Sequence, residues 1–336
     1  MGKSVVLGFS GGIDSCTAAQ HLRNEGYRVV ALTINTTNDQ SLLEKAESKA
    51  KELGIEWLRY DAVELFRREI IDYFISSYSN GYTPAPCTLC NTRIKWRILR
   101  EVADSLNIYH IATGHYLGIV ERNGHLYIAR AIDSTKDQSY YLWGISEDIL
   151  RRMLTPMSKV RKSDIRQNFA DKRESMGICF LNGCHYTDFL LSQGVNLLPG
   201  NIINSKGEIV GEHNGIARYT IGQKRGVGIP EGMRVIGIDS KSNSLIVGTN
   251  NDLYKHKLYV NESHIINPEE LLSADNITIM IRGIGRNPER PVKVESYNDG
   301  YCVTCDDPAW APAIGQPLVF YRNNLVIGGG IICSFE

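Results

Sequence analysis

The sequence predicts an α/β fold whose first part is a doubly wound parallel sheet and whose remainder is rich in β-strands. Short apolar runs alternate with amphipathic segments as far as Tyr116, which is the pattern of strands and helices in a parallel sheet. A glycine-rich turn separates the first apolar run from the first helical segment. After Pro199 and Gly200 the helical pattern stops, and short alternating segments with Gly and Asn turns follow.

The elements of the parallel-sheet part can be placed in chain order. Strands are predicted at residues 4–7, 28–34, 55–60 and 110–116, the last running into a turn. Helices are predicted at residues 16–24, 63–77 and 92–106, and a capping box of Ser41 and Glu44 predicts the start of another that ends at Gly54. Asn123 and Gly124 predict the turn of a β-hairpin.

Length, charge and cysteine content limit the possible classes of protein. The 336 residues are too many for one ordinary domain. Lys plus Arg and Asp plus Glu both number 37, so a nucleic acid partner would need a local basic patch. No apolar stretch approaches the ~20 residues of a membrane span, and the N-terminus lacks a signal-peptide pattern. The eight cysteines are not spaced like a secreted disulfide framework, so we expect a cytoplasmic protein with no membrane partner.

The glycine-rich turn, residues 8–15, reads GFSGGIDS and leads from a strand into a helix. Adjacent glycines let backbone N–H groups approach an anion, Ser10 and Ser15 add hydroxyl donors, and the helix N-terminus adds partial positive charge. The turn therefore predicts a phosphate site. It lacks the GK[ST] ending that would direct a lysine to the β- and γ-phosphates, which argues against γ-phosphoryl transfer.

Three cysteines stand in segments that bear on chemistry. Cys87 and Cys90 lie in TPAPCTLCN, where two prolines predict an irregular loop ahead of a helix. A thiolate at a helix N-terminus is stabilised, which favours a nucleophile or metal ligand over inert packing. Cys179 lies in the strand-like apolar stretch ESMGICFL and by itself indicates core packing.

A basic run covers residues 151–173, with eight basic and two acidic residues and a net charge of +6. It predicts either a solvated helix face or a site for a phosphate backbone. His115 ends the fourth predicted strand, at the edge of the sheet where ligands bind. Alone it is more typical of a structural histidine.

Seven segments together resemble the tRNA-specific 2-thiouridylase family, in their order and separations. They are GFSGGIDS, TPAPCTLCN, ATGHY, KDQSYYL, ESMGICFL, YTIGQKRGVGI and GQPLVFYRNNLVIGGGII. The first also resembles the SGGxDS signature of the PP-loop ATP pyrophosphatases, which cleave ATP between its α- and β-phosphates. The resemblance implies a PP-loop α/β domain at residues 1–198, a small central β domain at 199–254 and a C-terminal β-barrel at 255–336.

The activity implied by the resemblance is sulfur transfer to the wobble uridine of tRNA. ATP would adenylate the uridine 2-oxygen, and sulfur from a cysteine persulfide would displace AMP, giving 2-thiouridine, AMP and pyrophosphate. The implied partners are tRNA and either a persulfide sulfur-relay protein or a cysteine desulfurase, acting on a monomer. An acidic side chain facing a triphosphate needs a cation between them, so Asp14 predicts Mg²⁺.

The resemblance also implies roles for individual residues. Cys179 would receive the persulfide, and Cys90 would be the partner thiol with which it forms a disulfide. The implied ATP-binding residues are Gly8, Phe9, Ser10, Gly11, Gly12, Ile13, Asp14, Ser15, Ile34 and Gly114. The implied tRNA-binding residues are Ala85, Pro86, Cys87, His115, Lys136, Asp137, Gln138, Arg282, Gly283 and Gln316.

The chain departs from the family pattern at Cys87, where most members carry Asp, and at Gly283, where a tyrosine is expected. Three interpretations of Cys87 stay open. Cys90 and Cys179 could run a persulfide and disulfide cycle without it. Cys87 could instead be a small neutral replacement for Asp, or a spare thiol that protects Cys90 from overoxidation. Alternatively, Cys87, Cys90 and Cys179 could hold a 4Fe-4S cluster with one open iron.

Two other functions also stay open. One is a different PP-loop adenylating ligase, resembling argininosuccinate synthetase, in which nitrogen attacks the adenylate. Such a ligase needs no cysteine pair, so Cys90 and Cys179 argue for sulfur transfer. The other is a non-catalytic tRNA-binding relative, against which the intact GFSGGIDS segment argues.

Overall fold

The computed structural model describes residues 2–166, 177–225, 228–282 and 286–336. Its strands are β1 (Ser4–Gly8), β2 (Arg28–Asn35), β3 (Glu56–Asp61), β4 (His110–Thr113), β5 (Leu117–Arg122), β6 (His125–Arg130), β7 (Met153–Leu154), β8 (Gly200–Asn204), β9 (Ile209–His213), β10 (Arg234–Asp239), β11 (Ser244–Gly248), β12 (Tyr254–Ile265), β13 (Ile277–Ile281), β14 (Lys293–Tyr297), β15 (Gly300–Trp310), β16 (Pro317–Arg322) and β17 (Leu325–Phe335). Its α-helices are α1 (Ile13–Asn24), α2 (Gln40–Glu52), α3 (Val63–Phe66), α4 (Asp72–Ser79), α5 (Pro86–Leu89), α6 (Trp96–Ser105), α7 (Glu147–Leu150), α8 (Lys162–Arg166), α9 (Tyr186–Ser192) and α10 (Pro268–Ser273).

The chain divides into two compact units. Unit 1 consists of Met1–Ile70, Cys87–Glu174 and Asn324–Ile327. Unit 2 consists of Ile71–Pro86, Ser175–Asn323 and Gly328–Glu336. No helix within the described ranges is both long and apolar enough to cross a membrane.

Unit 1 is built on a parallel sheet with the strand order β3-β2-β1-β4-β7. β1 pairs with β2 on one side, Leu7 opposite Ala31, and with β4 on the other, Leu7 opposite Ala112. The predicted doubly wound parallel sheet is confirmed, with β7 as an edge strand that the sequence did not predict. Because the chain order reverses between β1 and β4, a crevice opens at their carboxyl ends.

Two helix starts differ from the predictions. The N-cap of α2 is Asp39, whose Oδ1 accepts hydrogen bonds from the backbone N–H groups of Ser41 at 2.9 Å and Leu42 at 3.4 Å. The predicted capping box is therefore wrong, because Ser41 already lies in the first turn. The irregular loop predicted around the cysteines is also wrong from Pro86 onward, where α5 begins and continues through a π-helix (Cys90–Lys95) into α6.

Proline at the first position of α5 explains the second difference. The N–H group that proline lacks has no intrahelical partner at that position, so Pro86 starts the helix without losing a hydrogen bond. Cys90 consequently lies one turn inside a continuous helical segment, and Cys87 is nearer its N-terminus. The helix predicted at residues 63–77 is likewise α3, a π-helix (Arg67–Ile71) and α4 in succession.

The predicted hairpin is confirmed within unit 1. β5 and β6 pair antiparallel, with Arg122 opposite His125. Asn123 has a φ of 53° and Gly124 a φ of 80°, the left-handed conformations that such two-residue turns require.

Unit 2 contains the β-rich structure predicted after Pro199. A four-stranded sheet has the order β10-β11-β8-β9, and its core includes Ile202, Val235, Leu245 and Val247. The strands that follow form an antiparallel sheet in the order β13-β16-β17-β12-β15-β14. The α/β and β parts of the predicted fold class are thus both confirmed.

Candidate functional site

A pocket of about 340 Å³ opens at the carboxyl ends of β1 and β4, where the strand order reverses. Ligands of doubly wound sheets bind at this position. The lining residues are Gly8, Phe9, Ser10, Asp14, Ser15, Leu32, Thr33, Ile34, Leu42, Lys95, Leu99, Thr113, Gly114, His115 and Gln138.

Most of the residues predicted to bind ATP line this pocket, namely Gly8, Phe9, Ser10, Asp14, Ser15, Ile34 and Gly114. Gly11, Gly12 and Ile13 do not line it. Gly11 has a φ of +65° and faces α2, where an added Cβ would lie 2.9 Å from the Cα of Ala46. Ile13 packs against the core of unit 1. The sequence alone did not point to Leu32, Thr33, Leu42, Lys95, Leu99 and Thr113, because only the sheet topology brings them to the crevice.

The glycine turn is closed by its own hydroxyl groups. Ser15 Oγ donates to the Gly12 carbonyl at 3.0 Å and accepts from the Ser10 N–H at 3.3 Å. Gly12, the N-cap of α1, provides no side chain to cap the first N–H groups of this twelve-residue helix. A Cβ on Gly114, which follows β4, would lie 3.0 Å from Ser15 N, so glycine avoids a crowded contact where the chain passes this turn. The arrangement leaves helix N–H groups for an anion.

Asp14 in this turn is held by two groups from later segments. Its Oδ1 lies 2.5 Å from the ammonium Nζ of Lys162 and accepts a hydrogen bond from the hydroxyl of Tyr116 at 2.8 Å. The Lys162 side chain is only 6% exposed, whereas that of Asp14 is 40% exposed. The structure thus supplies a cation at the position where the sequence indicated a need for one. In the sequence Lys162 is only one member of the basic run, since it is 148 residues from Asp14 in the chain.

Lys162 is itself fixed by Asp133. Asp133 Oδ2 accepts the Lys162 N–H at 2.9 Å, where α8 begins. The Thr135 hydroxyl donates to Asp133 Oδ1 at 2.6 Å. These hydrogen bonds, with that of Thr135 the strongest, hold the pKa of the Asp133 carboxyl below its usual range. Asp133 is therefore ionised at neutral pH and positions the start of α8.

His115 lies at the pocket, although the resemblance implied a tRNA contact. Its Nδ1 is 2.7 Å from Thr113 Oγ1, and its ring stacks on Trp96 with 6.3 Å between centroids. Burial lowers the pKa of His115 to about 3, and the positive charge of Lys95 adds to the effect. The imidazole is therefore neutral at physiological pH and offers hydrogen bonding and stacking instead of charge.

The expected tRNA-binding residues Asp137 and Gln138 make hydrogen bonds that shape their own loop. Asp137 accepts the Ala131 N–H at 3.0 Å and the Ser139 hydroxyl at 2.8 Å. Gln138 Oε1 accepts the Tyr116 N–H at 3.0 Å, and the backbone N–H of Gln138 donates to the Tyr116 carbonyl at 3.0 Å. Gln138 thereby fixes the tyrosine that bonds Asp14. The preceding Lys136 donates its backbone N–H to the Asp133 carbonyl at 3.1 Å.

Other expected tRNA-binding residues lie in unit 2. Gln316 Nε2 donates to the Thr83 carbonyl at 2.9 Å, which anchors the segment that leads to Ala85 and Pro86. Arg282 donates from Nη2 to the Ile221 carbonyl at 3.1 Å. The expected contact at Gly283 falls outside the described residues.

The cysteines differ in exposure. Cys90 is 5% exposed, Cys87 is half-buried, and Cys179 is exposed. Cys179 begins a 3₁₀ turn (Cys179–Leu181), so the strand-like core packing suggested by its sequence context is wrong. Among the described residues, no group of three or more His, Cys, Asp or Glu side chains is arranged to hold a metal ion.

The cause of the exposure of Cys179 lies in the residues that follow it. The Phe180 ring packs edge-on against Phe74 at 5.1 Å, and Leu181 is buried in the same cluster. These two side chains supply the apolar signal that made the segment resemble a buried strand. They anchor the turn and leave the thiol before them accessible.

Several positive charges of the basic run are paired with acidic side chains, which its sequence did not indicate. Three of its described members have acidic partners: Arg151 with Glu147 at 2.7 Å, Arg152 with Asp104 at 2.7 Å, and Lys162 with Asp14. Lys159 and Arg161 are exposed. Residues 167–173 lie outside the described part of the chain.

Family models match the chain in three consecutive stretches. Residues 3–183 match the tRNA methyl transferase HUP domain, 187–249 the tRNA methyl transferase PRC-barrel domain, and 255–332 the aminomethyltransferase β-barrel domain. Among solved structures, a 4-thiouridine synthetase–RNA complex with bound ATP is 19% identical, over 49% of this chain and 39% of that one, with a TM-score of 0.34.

Curated relatives match almost the entire chain. The tRNA-specific 2-thiouridylase MnmA 2 of Phocaeicola vulgatus is 40% identical, over 98% of this chain and 97% of that protein. The tRNA-specific 2-thiouridylase MnmA of Clostridium acetobutylicum is 34% identical, over 99% of this chain and the full length of that protein. At this identity and coverage, the chain belongs to the tRNA-specific 2-thiouridylase family.

Proposed function

We propose that this chain is an ATP-dependent tRNA 2-thiouridylase, a sulfurtransferase that replaces the 2-oxygen of the wobble uridine. The observation that carries the proposal is the glycine-turn pocket of unit 1. The chain also matches nearly the full length of a relative named as a tRNA-specific 2-thiouridylase. The pocket combines an uncapped helix N-terminus, hydroxyl donors and a buried lysine, which suits a polyphosphate.

ATP would bind with its phosphates at the turn Gly8–Ser15 and its adenine toward Ile34 and Leu42 on the pocket wall. Lys162 would offset the charge of Asp14, so that the carboxylate does not repel the triphosphate. Asp14, which is 40% exposed, would help to hold Mg²⁺ at the phosphates, and the ion would supply positive charge to offset that of the triphosphate. The uridine 2-oxygen would attack the α-phosphorus, the bond to the β-phosphate would break, and pyrophosphate would leave.

Sulfur transfer would then require two thiols. The terminal sulfur of a persulfide on Cys179 would attack C2, the C2–O bond would break, and AMP would take its electron pair. The thiolate of Cys90 would attack Sγ of Cys179, forming a disulfide and releasing the 2-thiocarbonyl. A dithiol reductant would restore both thiols. The exposure of Cys179 suits a thiol that accepts sulfur from another protein, such as a sulfur-relay protein or a cysteine desulfurase.

This scheme uses two cysteines and no iron–sulfur cluster. No arrangement of acidic, histidine and cysteine side chains within the described ranges supports the cluster interpretation. Cys87 then serves as a small neutral side chain where most members carry Asp.

Purified protein should convert wobble uridine of unmodified tRNA to 2-thiouridine, releasing one AMP and one pyrophosphate for each sulfur added. The assay combines ATP, Mg²⁺, a persulfide donor and mass spectrometry of the nucleosides. Exchange of oxygen for sulfur changes the mass of uridine by a different amount from addition of a methyl group. The assay therefore also tests for the methyl transfer that appears in the names of two matching family models. A nitrogen-ligated product would indicate a different PP-loop ligase, and absence of AMP would indicate a non-catalytic tRNA-binding relative.

The basic run offers a test of tRNA binding by unit 1. Replacing Lys159 and Arg161 with glutamine should flatten the dependence of log Kd on log salt by about 0.7 to 0.9 for each phosphate that the variant no longer neutralises. Arg151→Gln is the matched control, because Arg151 is already paired with Glu147 and should change the slope little. A wild-type slope in the double variant would identify the run as a solvated face.

A further inference from the structure

A second basic surface lies in unit 2, around the indole of Trp310 at the end of β15. The guanidinium carbon of Arg234 is 6.0 Å from the ring centroid, and that of Arg286 is 5.7 Å from it. The ring is held in place by its own N–H, which donates to Asn250 Oδ1 at 3.2 Å. Two like charges are therefore held over one fixed aromatic ring.

Backbone carbonyls of the adjacent turn orient the arginines. Arg234 Nη1 donates to the Gly222 carbonyl at 3.1 Å, and Arg282 Nη2 donates to the Ile221 carbonyl at 3.1 Å. Gly222 has a φ of +89°, and a Cβ there would lie 3.3 Å from the indole ring, so the turn packs directly on Trp310. Each bonded guanidinium uses part of its donor fork on the protein and keeps further N–H groups for another acceptor.

Neither Arg234 nor Arg286 forms an ion pair with an acidic side chain within the described ranges. Lys224 and Arg225, which follow the turn, are exposed, as is Arg286. Two cations held together without an ion-paired acid, in a chain of zero net charge, are complementary to a polyanion.

We propose that the basic patch, defined as Arg234 and Arg286 with Trp310, binds the phosphate backbone of the tRNA. This inference rests on the proposed function, which supplies tRNA as the substrate. The planar guanidinium fork matches phosphate oxygens, and stacking on an aromatic ring fixes that fork before binding. The patch contacts backbone phosphates, so it contributes affinity and orientation without reading the base sequence.

The test is the salt dependence of binding of an unmodified tRNA transcript, followed by fluorescence anisotropy. Arg234→Gln with Arg286→Gln should lower the slope of log Kd against log salt by about 1.4 to 1.8, if each arginine meets one phosphate. An unrelated RNA hairpin should show the same change of slope. Trp310→Leu keeps both charges, so it should weaken binding while the slope stays near that of wild type.

Lys293→Gln is the matched control, because it removes one exposed positive charge in unit 2 that already has a partner, Glu295. The Arg286 side chain is exposed, so Arg286→Gln alone should melt like wild type, and a change in its slope reports binding and not unfolding. If wild type binds tRNA and the arginine variants keep its slope, the proposal for the basic patch is wrong and the proposed function stands. If wild type itself binds no tRNA at low salt, both the proposal for the basic patch and the proposed function are wrong.

Discussion

Replacing Lys162 with methionine is expected to lower AMP formation by at least about 10²-fold, the usual effect of removing one electrostatic group from a catalytic site. Methionine keeps most of the buried volume and removes the ammonium that lies 2.5 Å from Asp14. The half-exposed Asp14 carboxylate would then face the triphosphate without its neighbouring cation. Pyrophosphate release in the presence of tRNA and ATP measures the effect.

Two further variants distinguish the loss of the Lys162 charge from a general disturbance of the fold. Tyr116→Phe removes only the hydroxyl that donates to Asp14 and should cost far less than the loss of Lys162. Asp14→Asn should abolish AMP formation while leaving tRNA affinity within a few fold, because both residues act on ATP. The assignment would be refuted by wild-type AMP formation in Lys162→Met, or by loss of tRNA binding in Asp14→Asn with an unchanged melting temperature.

Cys179→Ala is expected to lower the yield of 2-thiouridine by at least about 10³-fold, since removing a covalent nucleophile leaves no alternative route for sulfur. AMP formation and tRNA binding should persist, because neither uses this thiol. Mass spectrometry of the wobble nucleoside and a parallel AMP assay, both with a persulfide donor, separate the two steps.

Cys184→Ala is the matched control for this experiment. Cys184 is also exposed and lies only five residues further along the chain, where its thiol donates to the Leu181 carbonyl. The Cys184→Ala variant should retain thiolation activity. Cys90→Ala should lose turnover and Cys87→Ala should keep it if two thiols suffice. Iron and acid-labile sulfide in anaerobically purified protein, lost in each of the Cys87, Cys90 and Cys179 variants, would contradict the two-cysteine scheme.

Local signals in the chain were enough to predict several parts of this protein. Periodic apolar runs predicted the parallel strands β1 to β4 of unit 1, and turn chemistry predicted the hairpin at Asn123 and Gly124. The glycine turn could be placed at a carboxyl edge of the sheet, because its residues are contiguous and follow a strand directly. These features need only neighbours in the chain, so one stretch of sequence carries each of them.

Which groups from distant parts of the chain come into contact could be seen only in the folded structure. Lys162 reaches Asp14 because the parallel sheet brings β1 and β4 together and Asp133 fixes the start of α8, an arrangement that no local pattern encodes. Cys90 became part of a continuous helix because Pro86 takes the first helical position, which proline tolerates, and the buried side chains of Ile94 and Trp96 pack that helix into the core. Cys179 became exposed because Phe180 and Leu181 take the buried positions. In each case the outcome depends on contacts between segments that are remote in the chain, and those contacts exist only in the folded protein.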